Sequence, residues 1–363
     1  MTGSTFLRRG CLAFLLVAAA AAFAATGAAR ADQDPCGALA GQTIRWIVPF
    51  GPGGYDAYSR ILAPFLETRL DAEIVVVNVP GAGGVVGAKQ LRKAKPDGRT
   101  LGLLHGTSLL VAEIFGTEGS PRLPGDFTLL GRLSRDSDVW VVLDESRFRR
   151  VDDLYAKDGK SRTVVGLPSI AGKHWFTAIV VADLLGFEVD FVIGYKGTKD
   201  RILGLLRDDF EMMGTVASSI TPYIEAEELR PVLLIGESAA GRHPVFRDVP
   251  RLEGPDGLAV RRARERGRDP VAAQSRADAL ARIVGAGRII AAPPGMEPGL
   301  TSCLEDRLFE AMTDPELEVA MMKAGRPLDT ARGTEAAELI RLAKLEAASF
   351  IPFIREQIEK AKK

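Results

Sequence analysis

Short β-branched apolar runs alternate along the chain with longer stretches whose apolar residues recur every three or four positions. Residues 43–49, 74–79, 101–104, 139–143, 163–167, 189–193 and 232–235 read as strands. Between them, 56–70 sets Ile61, Leu62, Phe65 and Leu66 on one helical face, and 171–185 and 198–206 carry similar stripes. Three further helical patterns close the chain, at 298–312, 315–324 and 334–362. This alternation predicts an α/β fold with mostly parallel sheets.

The 363 residues exceed what one core usually serves, which predicts two lobes. Gly/Pro-rich segments at 116–125 and 285–295 are the candidate places for the chain to leave and rejoin a lobe. The expected division is 1–31 as a signal peptide, 32–137 plus 288–363 as one lobe, and 138–287 as the other. A charged connecting segment at 258–282 belongs to the second lobe. Its cluster of Arg261, Arg262, Arg264, Arg266 and Arg268 is interleaved with Glu265 and Asp269, so it reads as a solvated helix face.

The N-terminus sets Arg8 and Arg9 before an apolar run from Cys11 to Ala25 and ends in Ala29-Arg30-Ala31. That is the order of a cleavable secretory signal, and the run is shorter than the roughly 20 residues that span a bilayer. An exported, periplasmic protein beginning at Asp32 is expected. Without the three leader arginines the 47 basic residues fall to 44 against 47 acidic ones, a net charge of −3, which leaves no footprint for nucleic acid. Cys36 and Cys303 remain after cleavage, either bridged or as two free thiols.

Candidate chemistry concentrates where strands end. Ile47-Val48-Pro49-Phe50-Gly51-Pro52-Gly53-Gly54-Tyr55-Asp56 turns from a strand through glycines into a helix, and Val76-Val77-Asn78-Val79-Pro80-Gly81-Ala82-Gly83-Gly84 repeats that geometry before a helix through Lys95. Free amide groups at helix starts bind anions without lysine or arginine. No Gly-Lys-Ser/Thr follows either loop, and the dinucleotide spacing from Gly81 fails at Val86. His105, His174 and His243 are scattered, and neither a hydrolase motif nor a metal-ligand spacing occurs, so no catalytic residue, cofactor or metal is expected.

These blocks resemble the extracytoplasmic solute receptors of tripartite tricarboxylate transporters, often called Bug-type proteins. The likeness rests on Ile44 to Arg60, Val77 to Gly84, Pro96-Asp97-Gly98-Arg99-Thr100, Gly194-Tyr195-Lys196-Gly197-Thr198, Asp248-Val249-Pro250 and Ala291-Ala292-Pro293-Pro294-Gly295. Gly325 and the final helix fall where the family has them. The chain departs from the family in having one residue between Gly54 and Asp56 where two are common, in the segment 167–174, and in the charged stretch from Val260.

The resemblance implies a Venus-flytrap fold in which two lobes hold a small carboxylate and pass it to membrane permease subunits, with the protein itself a monomer. It places Phe50, Gly53, Gly54, Tyr55, Gly83 and Gly84 on one side of the ligand and Ser169, His174, Tyr195, Gly197 and Thr198 on the other. Tyr55 and Tyr195 are expected to close over an apolar body, and Asp56 to cap its helix. A sensory receptor with the same clamp and an exported enzyme using His174 or Asp56 are the alternatives. Backbone recognition leaves no side-chain signature, so a tricarboxylate, dicarboxylate, aromatic acid or amino acid all fit.

Overall fold

The computed structural model describes residues 34–135, 137–154, 162–170 and 172–361, so the expected signal peptide and its cleavage point at Ala31 and Asp32 lie outside the described residues. In chain order the first elements are β1 (Thr43–Val48), α1 (Gly54–Leu70), β2 (Glu73–Asn78), α2 (Val85–Arg92), β3 (Thr100–His105), α3 (Gly106–Ile114) and β4 (Thr128–Ser134). Next come β5 (Asp138–Leu143), β6 (Arg162–Leu167), α4 (Lys173–Leu185), β7 (Glu188–Ile193), α5 (Thr198–Leu206), β8 (Met213–Val216), α6 (Ala217–Glu225) and β9 (Leu229–Ile235). The chain closes with α7 (Leu258–Glu265), α8 (Pro270–Val284), β10 (Arg288–Ala292), α9 (Pro298–Met312), α10 (Pro315–Lys323), β11 (Ala331–Arg332), α11 (Gly333–Ala347) and α12 (Ile351–Ala361).

The strands divide between a six-stranded mixed sheet and a second layer made of a three-stranded and a two-stranded sheet. One has the order β11-β4-β10-β3-β1-β2, with β1 parallel to β2 and β3, and β10 antiparallel to β3 and β4. The other joins β8-β5-β9 to the parallel pair β6-β7 through a bridge between Val165 and Met212. The chain changes sheet between β4 and β5 and returns between β9 and β10. The Gly/Pro-rich segment 116–125 is followed by β4, which stays in the first sheet.

Side chains on successive strand residues point to opposite faces, and the apolar pattern serves both. In the first sheet Trp46, Val48, Leu101, Leu103 and Ile290 pack against α1 and α9, while Ile47, Leu104, Ile289 and Ala291 pack against α2, α3 and α11. In the second sheet Trp140, Val142, Val165 and Leu167 meet α4 and α8, while Val139, Val141 and Leu234 meet α5 and α6. Val111 and Ile114 of α3, and Ala347, Phe350 and Ile354 near the C-terminus, join the second sheet's core, so helices following first-sheet strands bind the two halves together. The predicted final helix is broken by a 3-10 turn at Ala348–Phe350, where Phe350 is buried against Phe176.

The charged segment after Val260 is not a loose insert. Leu258, Ala259, Leu280 and Ile283 of α7 and α8 enter the core, while Arg262 and Arg266 donate to the Leu185 and Asp183 carbonyls. Cys36 and Cys303, 267 positions apart in sequence, are disulfide-bonded with Cα atoms 5.9 Å apart. Closing so long a loop restricts the unfolded chain. Cys303→Ser is expected to cost about 2–4 kcal/mol, read as a lower urea midpoint that reductant reproduces in the unaltered protein.

Candidate functional site

Four helices start directly beyond the carboxyl ends of parallel strands, and each has glycine at its N-cap: Gly53 before α1, Gly84 before α2, Gly172 before α4 and Gly197 before α5. None of these caps makes a side-chain hydrogen bond; ahead of α2 a 3-10 turn uses the Val85 and Val86 amides on the Ala82 and Gly81 carbonyls, while the other three helices present their positive dipole ends beyond the glycine. By contrast α8, α9 and α10 begin behind the capping carboxylates Asp269, Glu297 and Asp314. Gly257 also precedes a helix without a cap, but a Cβ there would strike the Glu253 carbonyl at 2.2 Å, whereas at Gly197 it would meet nothing within 4 Å. Gly257 is buried by packing; Gly197 faces open space.

On the first sheet's side, Phe50, Tyr55 and His105 form one aromatic group, with Tyr55 and His105 stacked 5.2 Å apart and Phe50 5.0 Å from Tyr55. Gly84, at φ +101°, lets the second loop lie against the Phe50 ring, where a Cβ would come within 3.2 Å. A Cβ at neighbouring Gly83 would stand 4.0 Å from the Ser108 hydroxyl. Beneath Gly54 lies the buried Arg288 guanidinium, over the Tyr55 and Tyr58 rings at 4.8 and 4.2 Å and donating to Ser134 Oγ at 2.8 Å. Asp56 is not the cap expected for it. The helix begins at Gly54, so Asp56 sits in the first turn, where its charge suits the dipole and pairs with Arg60 at 2.9 Å.

On the second sheet's side, Ser169 is exposed, and its hydroxyl would stand 3.6 Å from a Cβ at Gly172. His174 is half-buried, and its Nε2 lies 3.0 Å from an Arg201 nitrogen. Behind it Lys173 donates to Asp138 at 2.6 Å with both side chains buried, and Arg201, fully buried, donates to the Gly214 carbonyl at 2.8 Å. Gly197 and Thr198 open α5 as predicted. The Tyr195 ring packs on Phe210 at 5.2 Å and its hydroxyl donates to Asp209.

The two sides share one electrostatic environment. Burial pushes His105 well below its ordinary value, helped by the charges of Lys173 and Arg288, and His174 falls likewise through burial and the charges of Arg201 and Lys173. Burial brings Arg201 down to about 10, against the opposing pull of Asp138. The result is a layer of neutral imidazoles in front of buried cations.

A separate cavity of about 670 Å³ lies beside the crossings, lined by Arg132, Arg251, Arg261, Arg282 and Leu258 among others, and includes none of the predicted site residues. Its arginines are paired with Asp329, Glu253, Asp152 and Glu346. Among the described residues the one cluster with metal-ligand proximity is Asp34, Cys36 and Cys303, whose sulfurs are bonded to each other.

Residues 58–254 match the family described as the tripartite tricarboxylate transporter family receptor. The chain belongs to this receptor family. It is 30% identical over 251 residues to the UPF0065 protein of the tcbD-tcbE intergenic region of Pseudomonas sp. (strain P51), covering 67% of this chain and 70% of that one. Its fold is also similar to MatC from Rhodopseudomonas palustris, solved with bound malate, at 18% identity and a TM-score of 0.64, covering 85% and 99% of the two chains. A second R. palustris protein, solved with adipate, gives a TM-score of 0.65 at 18% identity, covering 86% and 97%.

Against the family's loop pattern, the residues that sequence reasoning missed are His105, Asp138, Lys173, Arg201 and Arg288. Two of them left a signal. Arg288 opens the apolar strand Arg288-Ile289-Ile290-Ala291-Ala292, and Arg201 precedes Ile202 on the buried face of α5, so each is a charge inside an apolar pattern.

Both depressed histidines are neutral in the fold, while in the unfolded chain they take up protons near their ordinary 6.5. The unfolded state therefore binds more protons as pH falls through about 6.5, and stability is lost in that direction. The thermal midpoint is expected to be level between about pH 8 and 7 and to fall from about 6.5 downward, with His174→Gln flattening the fall. Asp138→Asn, which leaves the Lys173 charge buried and unpaired, is expected to cost about 3–5 kcal/mol in chemical denaturation.

Proposed function

We propose that this receptor captures a small carboxylate between its two sheets and delivers it in the periplasm to the membrane subunits of a tripartite tricarboxylate-type transporter, without transforming it. Residues 32–137 plus 288–363 form one lobe in this reading and 138–287 the other, with α12 resting on the second lobe's core. The observation that carries it is the set of four uncapped, glycine-headed helix starts, two from each sheet, beside neutral imidazoles and buried cations. Such a surface suits a carboxylate, whose charge the helix ends and amides favour.

The residues proposed to touch the ligand are Phe50, Gly53, Gly54, Tyr55, Gly83 and Gly84 on one side, and Ser169, His174, Gly197 and Thr198 on the other, with His105 added. Tyr195 supports its loop through Phe210. Binding by both lobes favours the closed clamp, because a ligand shifts that equilibrium only by its differential affinity for the two states. Malate and adipate, bound by proteins of similar fold, make dicarboxylates the first solutes to test. Among the described residues no helix is long and apolar enough to cross a membrane, which suits delivery to separate permease subunits.

A thermal-shift series with malate, adipate, citrate, benzoate and amino acids tests the reading. A true ligand at about 100 times its Kd adds roughly 2.7 kcal/mol and is recovered unchanged. His174→Ala is expected to weaken that ligand about tenfold or more by titration calorimetry. A consumed acid would make the protein an enzyme, and silence across all carboxylates would end the carboxylate reading.

A further inference from the structure

The receptor reading leaves open how His174 meets its ligand, and the residue behind it answers that. A guanidinium has five N–H donors and no acceptor. The 3.0 Å contact between Arg201 and His174 Nε2 is therefore a hydrogen bond only if Nε2 accepts, which puts the ring's proton on Nδ1. Among the described residues Nδ1 forms no hydrogen bond, and the His174 side chain as a whole is half-buried at the start of α4. Arg201 itself is held from behind: it is 0% exposed, and its other terminal nitrogen donates to the Gly214 carbonyl at 2.8 Å.

We propose that Arg201 is the positioning residue that locks His174 as the Nδ1–H tautomer, so that the imidazole offers a ligand carboxylate an uncharged donor. The lock rests on the receptor reading for its purpose but not for its geometry. Every charged or titratable group acting on the His174 ring works in the same direction. Arg201 of α5 and Lys173 of α4 oppose a second ring proton, as does His105 at the head of α3. Asp138 of β5 is already engaged by Lys173 and is nearest, among acids, to compensating Arg201. The opposite tautomer is built at His105, whose Nδ1 accepts from the Ser108 amide at 3.0 Å and so leaves the proton on Nε2. The two imidazoles are thus fixed with opposite nitrogens protonated, each by a donor from the protein.

The consequence is a receptor whose grip on a carboxylate does not depend on acidity near neutral pH, because its histidine donor is neutral throughout. The test is histidine-selective ¹⁵N NMR of the ligand-free protein from pH 8 to 5, with His174→Gln assigning the signal. His174 is expected as the Nδ1–H tautomer, unprotonated through the range. In Arg201→Met mixed tautomers are expected, with protonation beginning at higher pH than in the parent although burial and Lys173 still oppose it. Arg201→Gln keeps an N–H donor for Nε2 without the charge, so the tautomer should survive while protonation becomes easier than in the parent. Circular dichroism checks that each variant folds.

Malate or adipate affinity then supplies the second readout: level between about pH 8 and 6 in the parent, and rising about tenfold toward acid in Arg201→Met. An Nε2–H tautomer or ordinary titration of His174 in the parent overturns the proposal, as does an Arg201→Met protein whose His174 behaves unchanged. If no carboxylate binds at any pH while the NMR result holds, the receptor reading fails and the lock stands.

Discussion

Unsatisfied amides at helix starts are the constraint around which the rest of this structure is arranged. A strand that passes into a crossover helix and returns parallel to itself places the helix N-terminus at the strand's carboxyl edge. β1-α1, β2-α2, β6-α4 and β7-α5 each do this, and glycine at every junction removes the side chain that would ordinarily satisfy the first turn. Helices of the same chain that lie away from these edges, α8 to α10, carry their own acidic caps.

Electrostatics behind the loops reinforces the same demand. An ion buried without partners costs several kcal/mol, and each cation here is offset: Lys173 by Asp138, Arg201 by the Gly214 carbonyl and His174, Arg288 by Ser134 and two tyrosine rings. Those contacts hold the cations rigidly while keeping the histidines in front of them neutral. The arginines beside the crossings differ in kind. Most are partly exposed and paired with acids, an arrangement worth about 0–1 kcal/mol per pair that leaves little net field.

Family membership, the α/β class, seven of the eleven strands and the glycine loops were legible in the residues themselves. The helices at 198–206 and 298–312 were placed to the residue, because their stripes are flanked by Gly197 and by Pro298 behind Glu297. The strands left unread, β4, β8, β10 and β11, are short or carry Gly131, Gly214 or Arg288 within the run, which spoils a periodicity judged from the sequence alone. The single terminal helix that periodicity suggested is interrupted because Phe350 turns inward to reach Phe176, 174 positions away and invisible to a local pattern.

Local sequence determined what local physics controls: where strands stop, where glycine frees a helix start, and which faces are apolar. It left the pairing of Cys36 with Cys303 open, since a distance between points 267 residues apart is set by the packing of everything between them. Likewise it offered His105 only as a scattered residue, and His174 and Tyr195 as ligand contacts without their surroundings. Only the packed structure brought both imidazoles into the field of Lys173 and the buried arginines, and turned Tyr195 to Phe210 and Asp209. The reason is that charge acts through space while periodicity is read along the chain, so a site assembled from both sheets is decided by tertiary structure.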